Sequence, residues 1–145
     1  MPEIHINLAE QRLLLRGGEK PFSAVISSGA AGIGFTPGSG RTPTGRFRVY
    51  SRHGIGAPLL TVFRARIPIG IYSNQAGDCI LSRILCLDGL DAENANTRAR
   101  YIYIHGTNDV EHLGTPVSAG CIRLAPEDMV QLFELAPTGT PVFIS

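Results

Sequence analysis

Apolar residues alternate with polar ones along most of this chain, and only one stretch carries them at helical spacing. In EIHINLAEQRLLLRG, Ile4, Ile6 and Leu8 alternate with polar neighbours, Ala9 to Gln11 turn, and Arg12 to Arg16 return, which predicts a hairpin. PFSAVISSG adds a short apolar strand that ends in glycine. AAGIGFTPGSGRTPTG holds too many turn formers for a regular element and reads as a long loop. RFRVYSR sets Phe47 and Val49 against arginines, the spacing of a strand with one wet face. PLLTVFRARIPIGIY and CILSRILCL are apolar, β-branched runs that predict buried strands. DGLDAENANTRAR reads as a loop or a frayed helical turn, and YIYIH as a strand ending on His105.

The helical stretch is PEDMVQLFELAP, which predicts a helix over about residues 126–136. Pro126 suits its first turn, Glu127 and Asp128 complement its positive end, and Met129, Leu132 and Phe133 with Leu135 or Ala136 form a core stripe. TPVFIS closes the chain as a strand. Many short strands and one helix near the C-terminal end predict a mainly β fold, a sandwich or barrel. With neither repeat nor linker, residues 1–145 read as one domain.

Composition narrows the function classes. A chain of 145 residues that is 43% hydrophobic can bury a core without staples. Three cysteines, Cys79, Cys86 and Cys121, form no CxxC pair and leave at least one thiol free, so neither a disulfide framework nor a zinc cluster is expected, nor any cofactor. No run approaches the ~18 apolar residues of a membrane span. The opening MPEIHINLAEQ lacks the basic flank and apolar centre of a signal peptide.

Net charge is +1, yet residues 20–77 carry seven bases and no acid, while from Asp78 onward acids outnumber bases nine to four. Either the fold interleaves the two halves, or the arginine-rich half draws an anionic ligand. The many glycines and prolines and the lack of long helical periods give nucleic-acid binding little support.

The candidate chemistry lies in HGTNDVEHLGTPVSAGCIRL, where His105 and Cys121 stand sixteen positions apart with loop formers between them. A thiol attacks a carbonyl as the thiolate, and a free cysteine with a pKa near ~8.5 needs a base to become one. His105, at a strand end, becomes that base if the loop folds back. Gly120 permits close backbone approach, so the N–H groups of Gly120 and Cys121 are candidate oxyanion donors. Arg123, two residues on, shares the thiol's side in an extended segment, and there it grips a substrate carboxylate and favours the thiolate; its plainer role is a surface ion pair to Glu127 or Asp128. Ser118 either bonds the substrate or ties down the loop. Cys79 and Cys86 read as packing residues, His5 and His53 as structural, His112 as a loop histidine turned to solvent that can swing toward the site, and TPTG as a plain turn.

SAGCIRL, preceded by the His105-Gly106 pair, resembles the signature of the L,D-transpeptidase catalytic domain, and GRTPTGRFRV with the N-terminal strand pair extends the resemblance over essentially the whole chain. The resemblance implies action on peptidoglycan stem peptides. Cys121 would attack the carbonyl of the third residue's L-centre, release the terminal D-alanine and hold a thioester, which an amine of a second stem resolves. His105 would be general base and then acid, the Gly106 carbonyl would orient its ring, and Arg123 would meet an anionic group of the substrate. Carbapenem-type inhibitors would acylate the same sulfur.

Many members of the family carry a second histidine where this chain has Ala119. Two alternatives stay open: an L,D-carboxypeptidase, with water as the acceptor, and a wall-binding module without turnover, which a thiol pKa near that of free cysteine would favour over a depressed one. The implied substrate lies in the cell envelope, whereas the opening residues are also compatible with a cytoplasmic location.

Overall fold

Ten strands and one α-helix make up the fold, a computed structural model describing residues 1–145. In chain order the strands are β1 (Glu3–Asn7), β2 (Arg12–Arg16), β3 (Phe22–Val25), β4 (Gly45–His53), β5 (Thr61–Arg64), β6 (Ile67–Ile71), β7 (Ile80–Gly89), β8 (Tyr103–Thr107), β9 (Ile122–Leu124) and β10 (Pro141–Ile144), with α1 (Pro126–Leu135) between β9 and β10. All ten join one sheet in the order β3-β2-β1-β10-β4-β7-β5-β6, and β8 pairs with β7 and carries β9. The sheet forks at β7, because β4 takes the edge at Ile84 to Gly89 and β5 takes the same edge at Ile80 and Leu81. Two isolated bridges, Ser27 to Arg123 and Gly29 to Ser118, join the chain after β3 to β9 and the segment before it, and the sheet does not close into a barrel.

Alternation decides which side chains go inside. Ile4 and Ile6, Leu13 and Leu15, Phe47 and Val49, and Leu85 and Leu87 all face one core, which α1 seals with Met129, Leu132 and Phe133. The helix ends at Leu135, one residue short of the expected bound, though Ala136 is still fully buried. No helix is long and apolar enough to cross a membrane.

The structure differs from the sequence reading at three places. β6 is not buried: Ile67, Ile69 and Ile71 are 62%, 51% and 53% exposed, because β6 pairs only with β5 at the sheet's edge and nothing covers it. β8 starts at Tyr103 because Tyr101 takes a φ of +56° and cannot continue a strand. The DGLDAENANTRAR segment, expected as a loop or frayed helical turn throughout, opens on Asp88 and Gly89 as the last residues of β7 and only then runs as tight turns, with Asn94 and Thr97 buried inside it. The two charge halves interleave: Arg46 pairs with Asp91 at 2.8 Å and Arg48 with Asp88 at 3.2 Å.

Candidate active site

β8 and β9 run parallel, with Ile104 opposite Ile122, His105 opposite Arg123 and Gly106 opposite Leu124. Ile104, Ile122 and Leu124 enter the core, which turns Tyr103, His105, Cys121 and Arg123 to the other face. His105 and Cys121, the residue just before β9, thus share one face two positions out of register; no hydrogen bond joins the imidazole to the sulfur, whose partners are the Tyr103 N–H and the Tyr101 carbonyl.

His105 is 2% exposed, and its Nδ1 lies 2.6 Å from the Gly106 carbonyl oxygen. A carbonyl only accepts, so Nδ1 carries the proton and Nε2 keeps the basic lone pair. Burial pushes the His105 pKa below its ordinary value, against the Gly106 carbonyl and Asp78, which raise it, and with Arg123, which lowers it.

Cys121 is half-buried; its sulfur accepts the Tyr103 N–H at 3.3 Å and, as a thiol, faces the Tyr101 carbonyl at 3.5 Å. Burial pushes the thiol up to about 11, although the Tyr103 N–H and the Arg123 charge both favour the thiolate. The pair therefore rests at neutral pH as thiol and uncharged imidazole. A depressed thiol pKa, on which the sequence reading relied to tell enzyme from binding module, is not how this site is built.

The turn before the sulfur is held from several sides. Gly120 has φ +125°, and a Cβ on it would lie 3.1 Å from the Arg41 carbonyl. Its N–H donates to Ser118 Oγ at 3.1 Å, and Ser118 Oγ donates to the Cys121 carbonyl at 2.6 Å, so this hydroxyl ties down the turn. The Cys121 N–H, by contrast, has no partner within the protein. Gly106 is equally constrained, since a Cβ would lie 2.6 Å from the Leu81 carbonyl.

Arg123 is nine-tenths buried, and its Nη2 meets Asp78 Oδ2 at 2.5 Å, with neither Glu127 nor Asp128 as partner. Its Nε is buried without a partner. Asp78 also accepts from Thr107 Oγ1 at 3.2 Å. His112 is exposed and pairs with Asp109 at 2.7 Å, which raises its pKa. Cys86 is fully buried, and Cys79 is half-buried with its N–H held by Asn108. Cys86, Tyr103 and Cys121 lie side by side on three adjacent strands, which puts Cys86 and Cys121 about 10 Å apart, beyond disulfide reach. No group of three or more His, Cys, Asp or Glu side chains is placed to hold a metal ion.

Three residues of this neighbourhood escaped the sequence reading. Thr42, fully buried, accepts the Gly29 N–H at 2.8 Å and donates to the Gly120 carbonyl at 3.0 Å, so the TPTG segment supports the cysteine turn. Arg100 binds the carbonyls of Gly34 at 3.2 Å and Arg41 at 2.6 Å and fastens the long loop beside that turn. Asp78 is the third. Two clefts include residues near the cysteine turn in their walls, one of about 430 Å³ lined by Gly38, Gly40, Arg100, Tyr101 and Ala119 among others, and one of about 260 Å³ lined by Ala65, Arg66, Tyr101 and Tyr103; neither Cys121 nor His105 lines either of them.

Residues 2–144 match the family model of the L,D-transpeptidase catalytic domain, YkuD. The chain belongs to this family. Over 57 residues it is 46% identical to the protein named "Putative L,D-transpeptidase YqjB" of Bacillus subtilis; the match takes in 39% of this chain and 31% of that protein. The fold is similar to that of an L,D-transpeptidase from Xylanimonas cellulosilytica, at TM-score 0.64 and 21% identity, covering 99% of this chain and 60% of that one. It is also similar to L,D-transpeptidase 3 of Mycobacterium tuberculosis in complex with a faropenem-derived adduct, at TM-score 0.62 and 16% identity, covering 99% and 60% of the two chains. The chain thus spans about a third of its curated relative and three-fifths of these solved chains. L,D-transpeptidases are an enzyme class, and the mainly β architecture expected from the sequence is the fold they share.

Proposed function

We propose that this domain is an L,D-transpeptidase that works on peptidoglycan stem peptides in the cell envelope through a thioester on Cys121. The observation that carries the reading is the shared face of His105 and Cys121, with the imidazole's Nδ1 fixed by the Gly106 carbonyl and Nε2 left as the base. Because both groups rest uncharged, proton transfer accompanies attack. Sγ bonds to the carbonyl carbon of the third residue's L-centre while its proton passes to His105 Nε2. The carbonyl electrons move onto oxygen, and the Cys121 N–H, which has no partner in the protein, is free to donate to that oxyanion. His105 returns the proton to the departing nitrogen, D-alanine leaves, and the thioester remains. An amine of a second stem then attacks the thioester, giving its proton to His105 and restoring the thiol.

Ser118 and Gly120 shape the turn that presents the sulfur, and Arg123 supplies positive charge beside it.

Incubation with a tetrapeptide stem tests the reading. Wild type should release D-alanine and accumulate cross-linked dimer, and Cys121→Ala should do neither. Tripeptide without dimer would make the domain an L,D-carboxypeptidase. No D-alanine from wild type would leave only the wall-binding module.

A further inference from the structure

Arg123 sits opposite His105 with almost no exposed surface, and a buried cation there opposes any positive charge on the imidazole. General-base action puts such a charge on the ring. Something must offset Arg123, and only one acid does so: Asp78, whose Oδ2 lies 2.5 Å from Nη2.

Asp78 is fixed for this place. Thr107 Oγ1 donates to its Oδ1 at 3.2 Å, and Asn108 grips the residues on either side, accepting the Cys79 N–H at 2.8 Å and donating to the Gly77 carbonyl at 3.1 Å. Thr107 and Asn108 directly follow Gly106, so one short run of chain both orients the imidazole and anchors the carboxylate. The other groups near the pair are the Gly106 carbonyl on the histidine, and the Tyr103 N–H, Cys86 and Arg100 around the sulfur.

We propose that Asp78 is a positioning residue of the dyad: its carboxylate neutralises Arg123 beside His105, so that the imidazole can accept and hold the thiol proton while the sulfur attacks. The proposal rests on the transpeptidase reading for the step it assists, but the charge arrangement stands without it. It also reassigns Arg123. With Nη2 held by Asp78 and the side chain buried, the guanidinium serves the dyad in place of gripping a substrate carboxylate.

The same charges shift the two partners in the same direction, which helps a base and hinders a thiol, and that gives the test its signature. Asp78 raises the pKa of both His105 and Cys121, and Arg123 lowers both. Asp78→Asn should therefore make the thiol more acidic and yet slow acylation.

Imipenem acylation rates and the pH profile of iodoacetamide alkylation at Cys121 are measured on wild type, Asp78→Asn, Asp78→Glu, Arg123→Gln and the Asp78→Asn/Arg123→Gln double variant. Asp78→Asn should acylate about tenfold more slowly, while its alkylation profile moves to lower pH. Asp78→Glu, which keeps the charge, should stay within about threefold of wild type. The double variant should be faster than the product of the two single losses, because neither charge is left uncompensated. Asp78→Asn acylating as fast as wild type or faster, or strictly multiplicative losses, would overturn the proposal. A wild type that imipenem does not acylate would count against the transpeptidase reading instead, and the alkylation shift would still report on Asp78.

Discussion

The two faces of β8 and β9 are built from one short run of chain and serve opposite ends. On the inner face Ile104, Ile122 and Leu124 are completely buried among other aliphatic side chains and carry no polar atom. On the outer face Tyr103, His105, Cys121 and Arg123 are also mostly buried but carry polar atoms, of which His105 Nδ1, Cys121 Sγ and Arg123 Nη2 are held by partners while Arg123 Nε is not. Period-two alternation lets a strand make a site and its foundation at once, so the site inherits the rigidity of the core behind it. The difference lies in what a substitution removes. On the inner face it removes packing, whose loss is read in stability. On the outer face it removes a proton acceptor or a charge, whose loss is read in chemistry.

The largest separation of the two faces is expected at His105. His105→Gln keeps much of the ring's volume but has no comparable base, and acylation by a carbapenem should fall by roughly 10² to 10⁴ while the melting temperature changes little by comparison. Wild type should show the same dependence against pH. Burial lowers the histidine's pKa, so the free base persists below the ordinary value near ~6.5 and acylation should hold steady through neutral pH before falling in acid. The sign for stability follows, since the unfolded chain takes up the proton more readily than the folded one. This contribution is present above the unfolded pKa and is lost as pH falls through and below it. An acylation rate indifferent to His105→Gln would erase the distinction between the faces.

Ile104→Ala sharpens the comparison from the other side. The side chain is fully buried, and its removal should cost about 2–5 kcal/mol in denaturant unfolding, with the acylation rate per folded molecule within a few-fold of wild type. A smaller effect is expected at Thr42, behind the cysteine turn. Thr42→Val leaves the Gly29 N–H and the Gly120 carbonyl without their buried partner and should cost about 1–3 kcal/mol with a modest loss of rate.

How much of this was legible in the sequence depended on the range of the interaction. Alternation marked both strands of the first hairpin, and the amphipathic stripe marked α1 to within one residue, because both patterns are local. β6 carries the same kind of pattern and is exposed, since burial depends on what covers a strand and its own residues do not say. The histidine and cysteine were singled out by the loop formers between them and by the resemblance of the HG and SAGCIRL stretches to a family signature, and the fold sets both on one face. Asp78 was not. Its partner is 45 residues away and is brought to it by the register of β7 on β8 and of β8 on β9. The one signal was that Asp78 is the first acid after the acid-free stretch, which indicated that the charge halves must meet without saying where. The seryl hydroxyl and the Gly120 N–H bond within the turn, a local geometry that residue types alone do not reveal.

The account stands on a sulfur made nucleophilic by the neighbouring imidazole, and peptide mass mapping after carbapenem treatment tests it most directly. The adduct should be found on Cys121 in wild type and be absent from Cys121→Ala. An intact protein with no adduct, or one modified at Cys79 or Cys86, would contradict it.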